Sequence, residues 1–163
     1  MKIRRVKIED AAQIAEIYNY YIKNTHHTFE TDALSGNEMQ KRIEAVVEEH
    51  PYLVAEEDGE ILGYAYAAQF KMRQAYEYSA EVSIYVKNEA KQRKIGTRLY
   101  VELFDQLKES NVHAIVAGIS LPNDASVFFH ERLGFEKVAH FREIGYKLGR
   151  WIDVGYWELI NRF

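Results

Sequence analysis

Apolar and polar residues alternate with a period of two across residues 79–86. This pattern is typical of a strand, because successive side chains of a strand point to opposite faces. From Ile95 to Leu107 the apolar residues recur every four positions, which predicts the buried stripe of a helix. Residues 87–94 between the two elements are polar and basic. The middle of the chain is therefore predicted as a strand, a basic turn and a helix, with one carboxylate, Glu81, in the strand.

A strand that leads through a basic turn into a helix is a place where an anion can bind. The first N–H groups of a helix have no partner within the helix and carry the positive end of its dipole. The pattern therefore favours a phosphorylated ligand beside Glu81. A surface turn with solvated lysines fits the same residues, and the pattern by itself leaves both interpretations open.

The rest of the chain has the periodicity of alternating helices and strands. It predicts a strand at 2–6, helices at 9–23 and from 35 onward, strands at 52–56, 61–67 and 112–119, a short helix between Pro122 and Gly134, and closing strands at 136–142 and 152–159 around a loop with Gly145 and Gly149. A capping box formed by Ser35 and Glu38 starts the second helix. The first two helices are expected to cover one face of the sheet. These elements predict a mixed α+β fold.

Composition restricts the kind of protein further. The 163 residues suffice for one domain with its own core, so we expect a single domain over residues 1–163. The absence of cysteine excludes disulfides and a thiol nucleophile. No apolar run has the length of a membrane span or a signal sequence, so we expect a cytoplasmic protein without membrane contact. A net charge of −4 argues against broad nucleic-acid binding, and the histidines lack metal-ligand spacing.

Four segments of the chain match the motifs of a known branch of enzymes. They are residues 71–76 (KMRQAY) followed by 79–81 (SAE), residues 121–124 (LPND) followed by 130–135 (HERLGF), residues 145–157 (GYKLGRWIDVGYW), and Phe29 in the first loop. Together they resemble the phosphinothricin and methionine sulfoximine N-acetyltransferases of the GNAT superfamily. The basic turn resembles the acetyl-CoA loop of that superfamily, Gln or Arg, two residues, Gly, any residue, then Gly or Ala. Residues 91–96 are KQRKIG, so Lys94 stands at the first glycine of the loop.

The resemblance implies the GNAT fold, a central, mostly antiparallel twisted sheet flanked by helices. It implies acetyl-CoA as cosubstrate, no metal, a homodimer, and direct transfer of the acetyl group to the α-amine of a small anionic amino acid such as phosphinothricin or methionine sulfoximine. The positions that it implies for acetyl-CoA binding are Ile84, Tyr85, Val86, Gln92, Arg93, Lys94, Ile95, Gly96, Thr97 and Asn123. The positions that it implies for the substrate are Phe29, Lys71, Met72, Arg73, Tyr76, Val82, Ser83 and Val154.

Acetyl transfer to an amine requires a base that removes a proton, and the departing thiolate benefits from an acid. Glu81 is the acid within the strand that faces the cofactor loop, so it is the candidate base, directly or through a water. The resemblance implies that His130 stands where many members of the superfamily have a tyrosine that protonates the thiolate. His130 is therefore the candidate acid or proton relay, and an unperturbed histidine pKa of about 6.5 suits either protonation state. The alternatives are an exposed strand glutamate and a structural histidine. Lys71 and Arg73 would face the anionic substrate, or else are solvated surface charges.

Other functions stay open at this point. The same fold serves many amines, so another small amine or a protein N-terminus is a second candidate substrate. If Lys94 breaks the phosphate loop, the domain is a noncatalytic ligand-binding or interaction module. A nucleic-acid binder built on the patch around Lys91 is a weaker hypothesis, because one turn alone is basic and no ladder of aromatic residues accompanies it.

Overall fold

The computed structural model of the protein describes residues 1–90 and 93–162. Its helices and strands follow in the predicted order, which confirms the α+β class. They are β1 (Lys2–Arg5), α1 (Ala11–Asn24), α2 (Gly36–Val47), β2 (Tyr52–Glu57), β3 (Glu60–Gln69), β4 (Ser79–Val86), α3 (Ile95–Lys108), β5 (Ala114–Leu121), α4 (Asp124–Arg132), β6 (Glu136–Lys147) and β7 (Arg150–Ile160). Single-turn 3-10 helices lie at Ile8–Asp10, Gln74–Tyr76 and Asn88–Ala90.

The seven strands of the described residues form one sheet in the order β1-β2-β3-β4-β5-β7-β6. Neighbouring strands are antiparallel except for β4 and β5, which run parallel and are joined by α3. The β4–β5 pairing covers residues 79–81 against 114–116. Both strands continue beyond these pairs, β4 to Val86 and β5 to Leu121. The sheet therefore opens into a gap between its two central strands.

Two apolar cores cover the opposite faces of this sheet. Along β2 the alternate residues Tyr52 and Val54 face α1 and α2, whereas Leu53 and Ala55 face α3. This alternation follows from the period of two of a strand. The prediction that the first two helices cover one face is confirmed, and α3 covers the other with the four-residue stripe that starts at Ile95.

Local signals in the sequence account for several boundaries. Ser35 Oγ accepts from the N–H of Glu38 at 3.2 Å, and Glu38 Oε2 accepts from the N–H of Ser35 at 2.7 Å, so the predicted capping box is present. Asp58 and Gly59 have φ values of 51° and 84° and form the turn between β2 and β3. Such paired positive φ angles match the right-handed twist of a hairpin.

The closing hairpin differs from its prediction. The sequence placed a loop with Gly145 and Gly149 between strands ending at 142 and starting at 152, but β6 runs to Lys147 and β7 starts at Arg150. The turn is Leu148-Gly149, with φ values of 52° and 75°. Gly145 lies inside β6 because the ring of Phe29 packs directly on it, and an added Cβ would clash with that ring. Most of β6 is exposed, so it lacks the apolar alternation that marks a half-buried strand.

Candidate active site

The gap between β4 and β5 forms the floor of a cavity of about 610 Å³. The separation of the strands exposes the facing edges of both, and the N-terminus of α3 and one side of α4 close the cavity from above. Tyr21 of α1 and His27 of the following loop complete the wall. The residues that line it from the strands and helices include Val82, Ser83, Ile84, Tyr85, Val86, Lys94, Ile95, Gly96, Thr97, Tyr100, Gly118, Ser120, Asn123 and His130.

The backbone N–H and C=O groups of β4 point alternately toward its two neighbouring strands, β3 and β5. On the β3 side the N–H of Lys87 donates to Leu62 O, whereas on the β5 side Tyr78 O accepts from the N–H of Ala114. The backbone groups of successive strand residues point in opposite directions within the sheet. Beyond the paired segment, the even-numbered residues therefore direct their N–H and C=O groups into the gap. These residues are Val82, Ile84 and Val86.

This register distinguishes the three β4 positions that the resemblance implies for acetyl-CoA, Ile84, Tyr85 and Val86. The backbone of Tyr85 pairs with Tyr64 on β3. The backbone groups of Ile84 and Val86 point toward the gap, and Val86 O already accepts from the hydroxyl of Tyr21 at 2.5 Å. The period of two in the strand is the reason, since three consecutive residues cannot all face one neighbour.

The turn before α3 adopts the left-handed conformation at Lys94, with φ 56° and ψ 21°. A non-glycine residue pays about 1–2 kcal/mol for this region but is not sterically barred from it. The lysine at the family's glycine position therefore keeps the conformation of the turn, and the helix still starts at Ile95 beside the cavity. Its first N–H groups have no intrahelical acceptor and can donate to an anion there.

Arg93, another predicted loop residue, does not contribute to the wall of the cavity. The Arg93 guanidinium donates to both carboxylate oxygens of Glu57, at 2.9 and 2.7 Å. Glu57 also pairs with the amino group of Met1 at 3.3 Å. Arg93 is thus engaged at the β2–β3 turn, and the predicted role of Gln92 lies outside the described residues.

Glu81 lies at the last residue pair between β4 and β5, opposite Val116, at the inner end of the gap. A Cβ placed on Gly118 would be 3.2 Å from Glu81 Oε1 and 3.2 Å from the Cε1 atom of Tyr156. The carboxylate and the ring therefore share the space that the missing side chain of Gly118 leaves free. Burial raises the pKa of the Glu81 carboxyl, because the charged form loses solvation. The geometry provides a half-buried carboxylate that can accept a proton.

His130 is 3% exposed and has both ring nitrogens engaged. Nδ1 is 2.8 Å from Ser126 O, and Nε2 is 3.2 Å from the hydroxyl of Tyr100. Because Ser126 O can only accept, Nδ1 carries the proton and Nε2 accepts from Tyr100. Burial lowers the pKa of His130, so the neutral form is favoured. In this arrangement the histidine orients the Tyr100 hydroxyl, and it can act as an acid only after Nε2 has gained a proton.

Asn123 caps α4, since its Oδ1 accepts from the N–H of Ser126 at 3.3 Å. It lies at the wall of the cavity together with His130 of the same helix. Asn123 and His130 thus both face the cavity, whereas Val127 between them packs against the apolar core.

Six of the eight predicted substrate residues divide into two groups; of the other two, Phe29 packs on Gly145 of β6 and Tyr76 contacts Phe70. Val82 and Ser83 line the cavity, and Val154 pairs with Ser120, which also lines it. Lys71, Met72 and Arg73 lie outside the lining, in the exposed connection before β4, where Met72 is 87% exposed.

A set of four aromatic side chains, which we call the aromatic wall, connects the exposed residues Lys71, Met72 and Arg73 to the carboxylate of Glu81. It consists of Phe70, Tyr76, Phe141 and Tyr156. Lys71 Nζ is 5.3 Å from the ring centroid of Phe70 and 5.6 Å from that of Tyr76. The Tyr156 ring lies 6.4 Å from Phe70 and 6.0 Å from Phe141, and its other side shares the space beside Gly118 with Glu81. A small acceptor between Lys71 and Glu81 would thus contact aromatic rings.

Several of these residues were missed by the sequence analysis. Tyr156 lies within a matched motif, but no role was predicted for it. Gly118 lies within a strand that was predicted from its apolar residues. Ser120 and His27 lie in segments where no pattern indicated a functional residue. A glycine in an otherwise continuous apolar strand is the one feature that could have indicated a close approach of another group.

The chain belongs to the GNAT acetyltransferases, enzymes that use acetyl-CoA as cosubstrate: the model of an acetyltransferase (GNAT) domain matches residues 3–155. The chain is 38% identical to the phosphinothricin N-acetyltransferase of Streptomyces coelicolor, over 92% of this chain and 90% of that protein. It is 33% identical to the L-methionine sulfoximine/L-methionine sulfone acetyltransferase of Salmonella typhimurium, over 98% and 94%. The predicted superfamily, enzyme class and cosubstrate are confirmed.

A solved structure agrees with the fold. The phosphinothricin acetyltransferase from Sinorhizobium meliloti in complex with acetyl-CoA matches with a TM-score of 0.94 at 32% identity, over 98% of this chain and 87% of that chain. Across residues 1–90 and 93–162, no group of three or more His, Cys, Asp or Glu side chains is arranged to hold a metal. Within the same ranges, no helix has the length and apolar character needed to cross a membrane.

Proposed function

We propose that this enzyme, acting as a single domain, acetylates the α-amine of a small anionic amino acid or analogue such as phosphinothricin or methionine sulfoximine. The observation that carries the proposal is the position of Glu81, half-buried at the point where β4 and β5 separate, between the cavity and the aromatic wall. The names of the relatives support the same substrate class.

Glu81 takes the proton from the acceptor amine, directly or through a water, and the free amine attacks the thioester directly. The amine of an amino acid is present as the ammonium ion at neutral pH, so a base must remove a proton before the amine can attack. The raised pKa of Glu81 makes its carboxylate a better proton acceptor than an exposed glutamate. The N–H groups of Val82 and Ile84 point into the gap and can donate to the carbonyl oxygen as its negative charge develops.

The other side of the cavity binds the cosubstrate. The N-terminus of α3 and the ammonium of Lys94 supply positive charge for the phosphates, with Ile95, Gly96 and Thr97 at the helix start. Asn123 contributes from the start of α4. His130 holds the hydroxyl of Tyr100 at the cavity wall, and its predicted role as the acid for the departing thiolate stays a prediction.

The acceptor side is lined by apolar and aromatic groups with cations at its outer edge. Phe29, Tyr76, Val82, Ser83 and Val154 provide contact area for a small substrate, and Met72 lies at its exposed rim. Lys71 and Arg73 attract the anionic group, because Arg binds carboxylate or phosphinate with two parallel bonds and Lys acts as a point charge.

We also infer a homodimer. β6 is an edge strand, and exposed apolar side chains gather on it and on the start of β7, which is unusual for a surface that meets only water. They are Val138, Phe141, Ile144, Tyr146, Leu148 and Trp151, each at least 45% exposed. Light scattering after size exclusion should give twice the chain mass of 19.1 kDa, and a monomer at micromolar concentration would exclude this interface.

The first experiment measures thiol release from acetyl-CoA with phosphinothricin, methionine sulfoximine, other small amines and a peptide N-terminus. We expect turnover of the first two and a loss of about 10²-fold or more in Glu81→Gln. Glu77→Gln, which changes an exposed glutamate just before β4, is the matched control and should retain activity. Turnover of other amines alone would refute the proposed substrate class. An active Glu81→Gln variant would refute the assignment of Glu81 as the base. Absence of both turnover and acetyl-CoA binding would favour the noncatalytic module.

A further inference from the structure

The loop between α1 and α2, residues 25–35, contributes to the wall of the cavity and packs on the closing hairpin. His27 is part of the cavity wall, and Phe29 packs on Gly145 of β6. A loop of this length without regular structure has little intrinsic stability. The position of Phe29 and His27 must therefore be determined by contacts that the loop makes with the sheet and with α1 and α2.

Three hydrogen bonds connect this loop to strands that are distant in sequence. Lys147 Nζ donates to Thr28 O at 2.7 Å. Arg150 Nη2 donates to His26 Nδ1 at 2.9 Å, and Ser120 Oγ donates to His26 O at 2.6 Å. Lys147 and Arg150 flank the Leu148-Gly149 turn of the closing hairpin, and Ser120 lies at the cavity end of β5.

Lys147 is an unusual residue for this position, because it is only 5% exposed. Burial of an ammonium group is costly and an apolar side chain would fill the same space without that cost. Burial accordingly lowers the pKa of Lys147, and Glu30 nearby opposes this effect. Thr28 is also held from the opposite side, since its Oγ1 lies 2.7 Å from the hydroxyl of Tyr18. The amine is thus placed where it restrains the loop.

We propose that Lys147, supported by Arg150, is a positioning residue that fixes the 25–35 loop so that Phe29 and His27 complete the acceptor pocket. Lys147 acts through the carbonyl of Thr28 and need not touch the substrate. The proposal deepens the proposed function and rests on it for its kinetic consequence. It predicts that loss of the amine affects the acceptor substrate but not acetyl-CoA, whose predicted contacts come from β4, α3 and α4.

The experiment compares Lys147→Met with wild type and with Lys41→Met, an exposed lysine of α2 that serves as the matched control. Methionine keeps the length and apolar stem of the side chain and removes the donor. Hydrogen exchange of peptides that cover residues 25–35 should become about tenfold faster or more in Lys147→Met. The KM for the amine should rise about tenfold, while the Kd for acetyl-CoA stays within about twofold. Lys147→Arg, which restores a donor, should recover part of the loss.

Unchanged exchange in residues 25–35, or an equal effect on amine and acetyl-CoA, would overturn the proposal. If Lys147→Met does not fold, Arg150→Gln loosens the same loop through a separate contact and decides the question in the same two assays. The exchange measurement needs no substrate. Faster exchange without turnover of any amine would therefore refute the proposed substrate class and leave the restraint of the loop supported.

Discussion

Gly118→Ala tests the arrangement of the base most directly. The added methyl group would lie 3.2 Å from Glu81 Oε1 and 3.2 Å from Tyr156 Cε1, inside the contact distance of about 3.5–4.0 Å for such atoms. One of the two side chains must therefore move by several tenths of an ångström. Because a displacement of about 1 Å can cost about 10²-fold in rate, we expect kcat to fall about tenfold. The methyl group also removes more solvent from the carboxylate, which raises the pKa of Glu81 further.

The assay is thiol release as a function of pH, with the amine that wild type turns over best. The acidic limb of the kcat/KM profile should move to higher pH in Gly118→Ala, because the base must be deprotonated to act. Gly36→Ala is the matched control, since its Cβ would meet Ala12 at an ordinary 3.5–3.6 Å. Wild-type kcat and an unshifted pH profile in a folded Gly118→Ala would refute the placement of Glu81 at the reacting amine.

Three further predictions concern single residues. Glu81→Gln should raise Tm above that of wild type at neutral pH. The carboxyl pKa of Glu81 is raised in the folded protein, so the stability of wild type falls as the pH rises through that pKa, whereas glutamine does not titrate. The gain in Tm should vanish below about pH 4.3, and a difference in Tm that does not change with pH in calorimetry would contradict the prediction. Lys94→Gly should leave Tm within about 3 °C and weaken acetyl-CoA binding about two- to fivefold at low salt, measured by calorimetry; tighter binding would mean that the lysine obstructs the phosphates. His130→Phe should cost about 1–3 kcal/mol by unpairing the Tyr100 hydroxyl, seen in denaturant unfolding, with less than a tenfold loss of kcat; a loss beyond about 10²-fold would restore its role as the acid.

Much of the site could be located from the sequence because its parts are local. The strand with Glu81, the basic turn and the helix at Ile95 are contiguous, and periodicity is sufficient to find them. The motifs added His130 and Asn123, which lie on one helix at a spacing that places them on the same face. The sequence could not predict the protonation state and the hydrogen-bond partners of these groups. His130 Nε2 lies against the hydroxyl of Tyr100, which is 30 residues away in the chain, and burial of the ring lowers its pKa and favours the neutral form.

The residues predicted to bind the cofactor also show that the sequence locates a segment, whereas the tertiary structure decides which of its groups are available. The resemblance grouped Ile84, Tyr85 and Val86, but the hydrogen-bond register with β3 decides which backbone groups are free. Likewise the side chain of Arg93, in the turn before α3, is directed by Glu57 of β2, which no local pattern connects to it.

By itself, the sequence determined the order of helices and strands, the basic turn between β4 and α3, and the superfamily, since each depends on residues close together in the chain. The tertiary structure alone decided where β4 and β5 separate, that Gly118 leaves room for the Glu81 carboxylate and Tyr156, and that Lys147 donates to Thr28 in the loop of Phe29. These features arise from contacts between residues far apart in sequence. Such contacts leave no periodicity, because the position of each partner is set by the packing of whole elements rather than by its neighbours in the chain.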